Sequence, residues 1–152
     1  MRKIIGLLLV FVLCNVQVFS QTITKEISQQ RIGSVNCNYY MSIEIPASDT
    51  TYYIFCSFQN MKYSSITDIG GFVISTKIEL DKIISDLKEC AKYIDNQSIG
   101  FSTGDFVLHS SSKNLYLYDR RGNFDKFTTL SKNKVLKWIS WLDSIKVISK
   151  LK

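Results

Sequence analysis

The chain has 152 residues, is 45% hydrophobic and 21% charged, and carries a formal net charge of +6. Its length suits one domain with a core of its own, so it does not need to be a disulfide-stapled miniprotein. The basic excess is mild compared with the dense patch of most nucleic-acid binders, and the four cysteines include no CxxC pair, which excludes a thioredoxin-type redox site and a zinc ribbon.

The first twenty residues have the pattern of a cleavable signal peptide. Arg2 and Lys3 form a positive start, residues 4–13 are apolar except for Gly6, and Val18-Phe19-Ser20 precedes Gln21. Cleavage is expected after Ser20. The apolar run is about half of the ~20 residues that a membrane-spanning helix needs. Cys14 follows Leu13, Val12 and Phe11, where a lipid-attachment signal wants a small residue. The expected location is therefore the periplasm or the exterior.

Residues 21–34 are polar and weakly patterned, which reads as an N-terminal arm, in the form of a short helix or an edge segment, before a single domain over residues 35–152. From Val35 the period is two: Val35, Cys37, Tyr39, Met41, Ile43 and Ile45 alternate with polar residues and Tyr40. This is the pattern of a half-buried antiparallel strand. Pro46-Ala47-Ser48-Asp49 is a turn, and residues 51–58 are a second strand rich in β-branched and aromatic residues. Further strands are expected over residues 62–68 and 72–76, with Gly70-Gly71 as the turn between them. A helical stripe follows: Leu80, Ile83, Ile84, Leu87, Cys90, Ala91 and Ile94. Thr76 and Glu79 have the spacing of a capping box, and Asn96 is a stop signal.

Strands are then expected over residues 98–102, 105–110, 115–119 and 124–128, with Arg120-Arg121-Gly122-Asn123 as a strong turn. A second helix carries Val135, Leu136, Ile139, Leu142 and Ile145, capped by Thr129 or Ser131. The expected class is α+β, with antiparallel sheets and two amphipathic helices. The order suggests a tandem ββββα repeat, residues 35–96 and 97–152, with a period of about 52 residues that sets Phe72 on Phe124 and Ile83 on Val135. In element order alone this resembles the whirly-type fold that binds single-stranded nucleic acid. The resemblance implies curved four-stranded sheets beside two packed helices, and no sequence motif of that family accompanies it. The alternative is one sheet with both helices on a single face.

No arrangement of catalytic residues stands out. His109 is the one histidine, and Cys37, Cys56 and Cys90 each fall on an apolar face, where a thiol is an inert small hydrophobe. A turn centred near Ser48 would set Cys56 opposite Tyr39 or Met41, an offset that keeps Cys37 out of disulfide reach, whereas a register two residues away would bring the two cysteines together, so a disulfide stays open as an alternative. Asp105, Asp119 and Asp125 each adjoin a turn, where aspartate usually bonds its own backbone. No phosphate-binding loop, metalloprotease, serine-hydrolase or calcium-loop spacing is present. No cofactor, metal site or catalytic residue is expected.

The aromatics are the candidate binding residues. Tyr40, Tyr53, Tyr116 and Tyr118 fall on the polar faces of their strands, where tyrosine can stack on rings or anchor an interface. Trp138 and Trp141 widen the apolar arc of the last helix beyond one contact face. That helix could meet a second copy of the chain, or, flanked by lysines, a membrane surface. The expected partner is another protein rather than nucleic acid or membrane. The leading function is an exported, non-catalytic binding protein, for example a periplasmic inhibitor or immunity-type protein. The alternatives are a small exported hydrolase using Asp119, Asp125, Arg120, Arg121 or His109, and single-stranded nucleic-acid binding on a whirly-like sheet.

Overall fold

The computed structural model describes residues 21–151 apart from 46, 63–67, 95–98, 104–105, 112 and 121–125. The leader, most of the strand expected over residues 62–68, and Asp105, Arg121, Asp125 and Asn96 lie outside the described residues. The elements are β1 (Gln21–Ile32), β2 (Val35–Ile45), β3 (Asp49–Gln59), β4 (Ile69–Ile74), α1 (Lys77–Tyr93), β5 (Ile99–Thr103), β6 (Phe106–Ser111), β7 (Asn114–Asp119), β8 (Phe127–Ser131) and α2 (Lys132–Ile148). They build two four-stranded antiparallel sheets, β1-β2-β3-β4 and β5-β6-β7-β8, with two helices, an α+β arrangement.

Residues 21–34 are not an arm separate from the sheet but take the edge-segment form. They form β1 and a two-residue turn, so the described domain starts at Gln21. Gly33 takes φ 63°, a region open to glycine, and the turn sets Ile32 opposite Val35. The strand lacks a clear sequence pattern because it is an edge, and its first seven residues are exposed on both faces. Its stability comes from backbone pairing to β2 along its whole length. A bulge between Glu26 and Ser28 bends the edge, a device that discourages pairing with other chains.

Gly70 and Gly71 are not a turn either. They lie inside β4, opposite Phe58 and Ser57. A side chain at Gly70 would begin 2.5 Å from the Phe58 ring, and one at Gly71 would begin 2.9 Å from the Cys56 carbonyl. Glycine is there for close approach within a strand.

Helix α1 starts as its sequence directs. The Glu79 amide donates to Thr76 Oγ1 at 3.2 Å, and the Thr76 amide donates to Glu79 Oε2 at 3.1 Å. Burial alone would raise the Glu79 carboxyl, but the amides of Ser75 and Thr76 outweigh it and hold the carboxyl below its ordinary value. Ser131 takes the N-cap position of α2 without a capping bond from its hydroxyl.

The order of four strands and a helix occurs twice. Counted from the first residue of each helix, Leu80, Ile83, Ile84, Leu87 and Cys90 match Val135, Trp138, Ile139, Leu142 and Ile145, all of them buried. The period of about 52 residues therefore misaligns the helices, because it sets Ile83 on Val135 rather than Trp138. The likeness lies in buried positions, not in residue identity.

One core joins both layers. Helix α1 packs on β5 and β6, and α2 packs on α1, on β7 and β8, and across to β1 of the other sheet. Phe72 of β4 stacks on Phe106 of β6 with centroids 3.9 Å apart, and Trp138 closes over Phe72 at 6.3 Å. Exposed ion pairs, Lys146–Asp81 and Lys88–Asp143, link the helices. Such pairs contribute at most about 1 kcal/mol each.

Asn60 fastens the sheets to each other. It is buried, its amide nitrogen donates to Asp68 Oδ2 at 2.9 Å, and its Oδ1 accepts the amides of Lys62 and Phe127. The Met61 amide donates to the Phe127 carbonyl at 2.8 Å. Lys126 pairs with Asp68 at 2.7 Å and, with Asn60, holds that carboxyl below its ordinary value.

Two stability measurements test these joints. Asn60→Ala removes the bonds to Asp68, Lys62 and Phe127 and should cost about 3 kcal/mol in urea unfolding; a loss under ~0.5 kcal/mol would show that the sheets hold together without it. Gly71→Ala should cost about 1–3 kcal/mol, because the methyl meets a backbone oxygen that cannot rotate away.

Candidate binding surface

Directly paired residues share a face, so the register of the second sheet defines its surface. Gly100 of β5 lies opposite His109 of β6, His109 opposite Tyr116 of β7, and Val107 opposite Tyr118. Tyr118 lies opposite Phe127 of β8, and Tyr116 opposite Thr129. The alternate positions, Phe106, Leu108, Leu115, Leu117 and Leu130, enter the core. The outer face therefore carries His109, Tyr116, Tyr118 and Phe127, each half-buried.

The rings form one array. Tyr116 and Tyr118 lie nearly parallel, 14° apart, with centroids separated by 6.2 Å. Phe127 is 5.7 Å from Tyr118 and 6.4 Å from Tyr116, and His109 is 6.4 Å from Tyr116. Burial, then the neighbouring Tyr116, keep the Tyr118 phenol above its ordinary value. Beside this array is a hollow of about 370 Å³ lined by Gly100, Val107, His109 and Tyr118. That volume falls at the small end of ligand pockets. Gly100 leaves the hollow open: a β-carbon there would meet, among the described residues, the Leu108 carbonyl at an ordinary 3.7 Å. Gly100, unlike Gly71, is not demanded by packing.

The tyrosines expected as binding residues fall into two separate groups. Tyr116 and Tyr118 belong to the array. Tyr40 and Tyr53 face each other across β2 and β3 of the first sheet, with centroids 5.3 Å apart. Burial, then the charge of Glu26, raise the Tyr40 phenol. No ring contact links the two groups among the described residues.

Trp138 is a correction. It is 0% exposed and cannot be a contact residue, because α2 is wedged between α1 and both sheets and needs a wide apolar arc to fill that space. Its indole Nε1 has no partner among the described residues. Trp141 is half-buried against the core. The apolar residues that α2 leaves exposed are Leu136, Val147 and Ile148, not the tryptophans. No described helix is long and apolar enough to cross a membrane.

Of the residues weighed for hydrolysis that are described, Asp119 and His109 do not converge. Asp119 turns inward, is buried, and accepts the Gly71 amide, whereas His109 lies on the opposite face of the sheet. Among the described residues no group of three or more His, Cys, Asp or Glu gathers as a metal site. Phe127, Val107 and Gly100 were not candidates from sequence; the alternation through Val107, His109 and Phe127 held the only signal for them.

A second concavity of about 450 Å³ opens beside the β1–β2 turn, lined by Arg31, Ser34, Asn36, Ser57 and Gln59 among others. Arg31 Nε there donates to the Gly33 carbonyl at 3.3 Å. No protein-family model matches the chain, and no curated protein matches it at a significant level.

The phenols offer a direct check on the packing. A raised phenol favours the neutral ring in the folded state. Its contribution to stability is complete below the unfolded value near 10 and is lost as pH rises through the folded value. An ultraviolet titration should show a late-ionising tyrosine fraction that shrinks in Tyr118→Phe and again in Tyr40→Phe. A single transition at the free-tyrosine value, unchanged by either variant, would contradict the packed arrays.

Proposed function

We propose that this is an exported, non-catalytic binding protein that contacts a partner protein through the outer face of its second sheet. The observation that carries this reading is the ring array of His109, Tyr116, Tyr118 and Phe127 beside an open hollow. Interface energy concentrates in a few aromatic anchors seated in pockets. The hollow, with carbon-rich walls and room for one side chain, suits an apolar or aromatic residue of the partner. An inhibitor or immunity-type role, in which this face caps another protein, fits that geometry.

The whirly-type resemblance supports a competing reading, in which the rings stack on unpaired bases. That mode also needs cations along the backbone path. Lys126, next to the array, is committed to Asp68, and Lys88 and Lys146 pair with acids at the helices. The pairing of Lys126, the cation next to Phe127, weighs toward the protein reading.

The test is filling the hollow. Gly100→Trp should leave the melting temperature unchanged and weaken the interaction with a co-purifying envelope protein by roughly 10- to 100-fold. A Tyr40→Ser/Tyr53→Ser control should keep the affinity. Unchanged affinity in Gly100→Trp removes this face as the contact. Tight binding of single-stranded oligonucleotides that falls steeply with added salt would favour nucleic acid instead.

A further inference from the structure

The β2–β3 register places Cys37 directly opposite Cys56. The short turn after Ile45 is responsible: β3 starts at Asp49, paired with Glu44, and the Ser48 amide closes the turn on the Glu44 carbonyl. Every residue of β3 is thereby drawn toward the start of β2, which overturns the offset expected from a turn centred near Ser48. The two Sγ atoms are 2.8 Å apart, both side chains are fully buried, and both residues are free thiols.

Directly opposed residues of antiparallel strands have Cα atoms roughly 4.5–5.5 Å apart. That lies within the roughly 4.4–6.8 Å range of disulfides. No strand shift is needed to join the sulfurs. Cys90 is distinct: it lies on α1, where burial and the charges of Asp86 and Glu89 push its thiol up to about 12.

We propose that Cys37 and Cys56 are a disulfide site, oxidised as the exported chain folds, and that the bond is a structural cross-link between β2 and β3. The oxidant is a disulfide compound. One protein thiolate attacks it, breaks its S–S bond and releases one thiol. The second protein sulfur then displaces the other thiol, forming the Cys37–Cys56 bond. Two electrons and two protons pass from the cysteines to the oxidant, which leaves as two thiols. The reaction precedes closure of the core. In the folded sheet, burial and the neighbouring Cys37 disfavour the Cys56 thiolate, and no attacking thiol can reach either sulfur. The same burial protects the finished bond from reduction.

The bond closes a loop between residues separated by 19 positions, which should raise the melting temperature by roughly 10 °C. The test is to refold the full chain from reduced, denatured protein in a mixture of oxidised and reduced glutathione, then alkylate and map the peptides. The expected result is a Cys37–Cys56 linked peptide, with Cys90 alkylated only after denaturation. The same chain refolded under dithiothreitol should melt lower, and Cys37→Ala/Cys56→Ala should melt alike in both buffers. Free Cys37 and Cys56 after oxidative refolding would overturn the proposal. So would either residue joined to Cys14 or Cys90, or an oxidised chain that melts no higher than the reduced one.

Discussion

A buried carboxamide is the centre of the hydrogen bonds that join the two sheets. Asn60 comes directly after β3, and its side chain accepts the amide of Phe127, the first residue of β8. The Met61 amide then binds the Phe127 carbonyl. Both backbone groups of Phe127 are thereby tied to the end of the first sheet. Phe127 is also the ring that completes the outer aromatic array, 5.7 Å from Tyr118. The geometry of the surface thus depends on a polar contact made at the seam between the layers. Burying an amide is unfavourable unless its donors and acceptors are all met. Asn60 meets that condition through Asp68, Lys62 and Phe127.

Apolar packing closes the space that this seam defines. Each sheet has one face to bury; α1 packs on β5 and β6 of the second sheet, and α2 reaches both sheets. Helix α2 spans from β7 and β8 to β1, so it presents apolar residues over a wide arc. Trp138 fills the widest part, near the stacked Phe72 and Phe106. Its area burial outweighs the cost of an unpartnered indole N–H, about 1–3 kcal/mol. The aromatics are divided by this arrangement. Phe58, Phe72, Phe106 and Trp138 make the core, while His109, Tyr116, Tyr118 and Phe127 are left on the outer face of the second sheet.

The sequence made β6, β7 and both helices legible because each is amphipathic, whereas β8 runs over Phe127–Ser131 rather than the expected 124–128. Val107 and His109 alternate with Phe106 and Leu108, and the α1 stripe from Leu80 to Ala91 has helical spacing. Three features were not legible, each for a physical reason. β1 is an exposed edge strand, so no core imposes a period on it. Gly70-Gly71 has the composition of a turn, but it answers to the Phe58 ring and the Cys56 carbonyl across the sheet, contacts that are remote in sequence. The Cys37–Cys56 pairing depended on where the turn starts, and a shift of a few residues there moves every partner along β3. At the candidate surface, Tyr116 and Tyr118 could be placed outward by alternation. Their coming together with Phe127 and the hollow at Gly100 is a tertiary outcome.

The outer face has the physical character of a contact surface. Its rings are braced by one another and by the strands beneath them, so little side-chain freedom is lost on contact, and preorganisation of that kind favours affinity. Tyrosine adds a hydroxyl rim to an apolar body, which suits a surface that is wet when free and dry when bound. Gly100 contributes by omission. A β-carbon there would meet the Leu108 carbonyl at an ordinary contact distance, so the described neighbours do not demand glycine. An exposed glycine in a strand weakens it and leaves part of a ring surface uncovered. Under the proposed contact role, a side chain entering the hollow from outside would offset that cost.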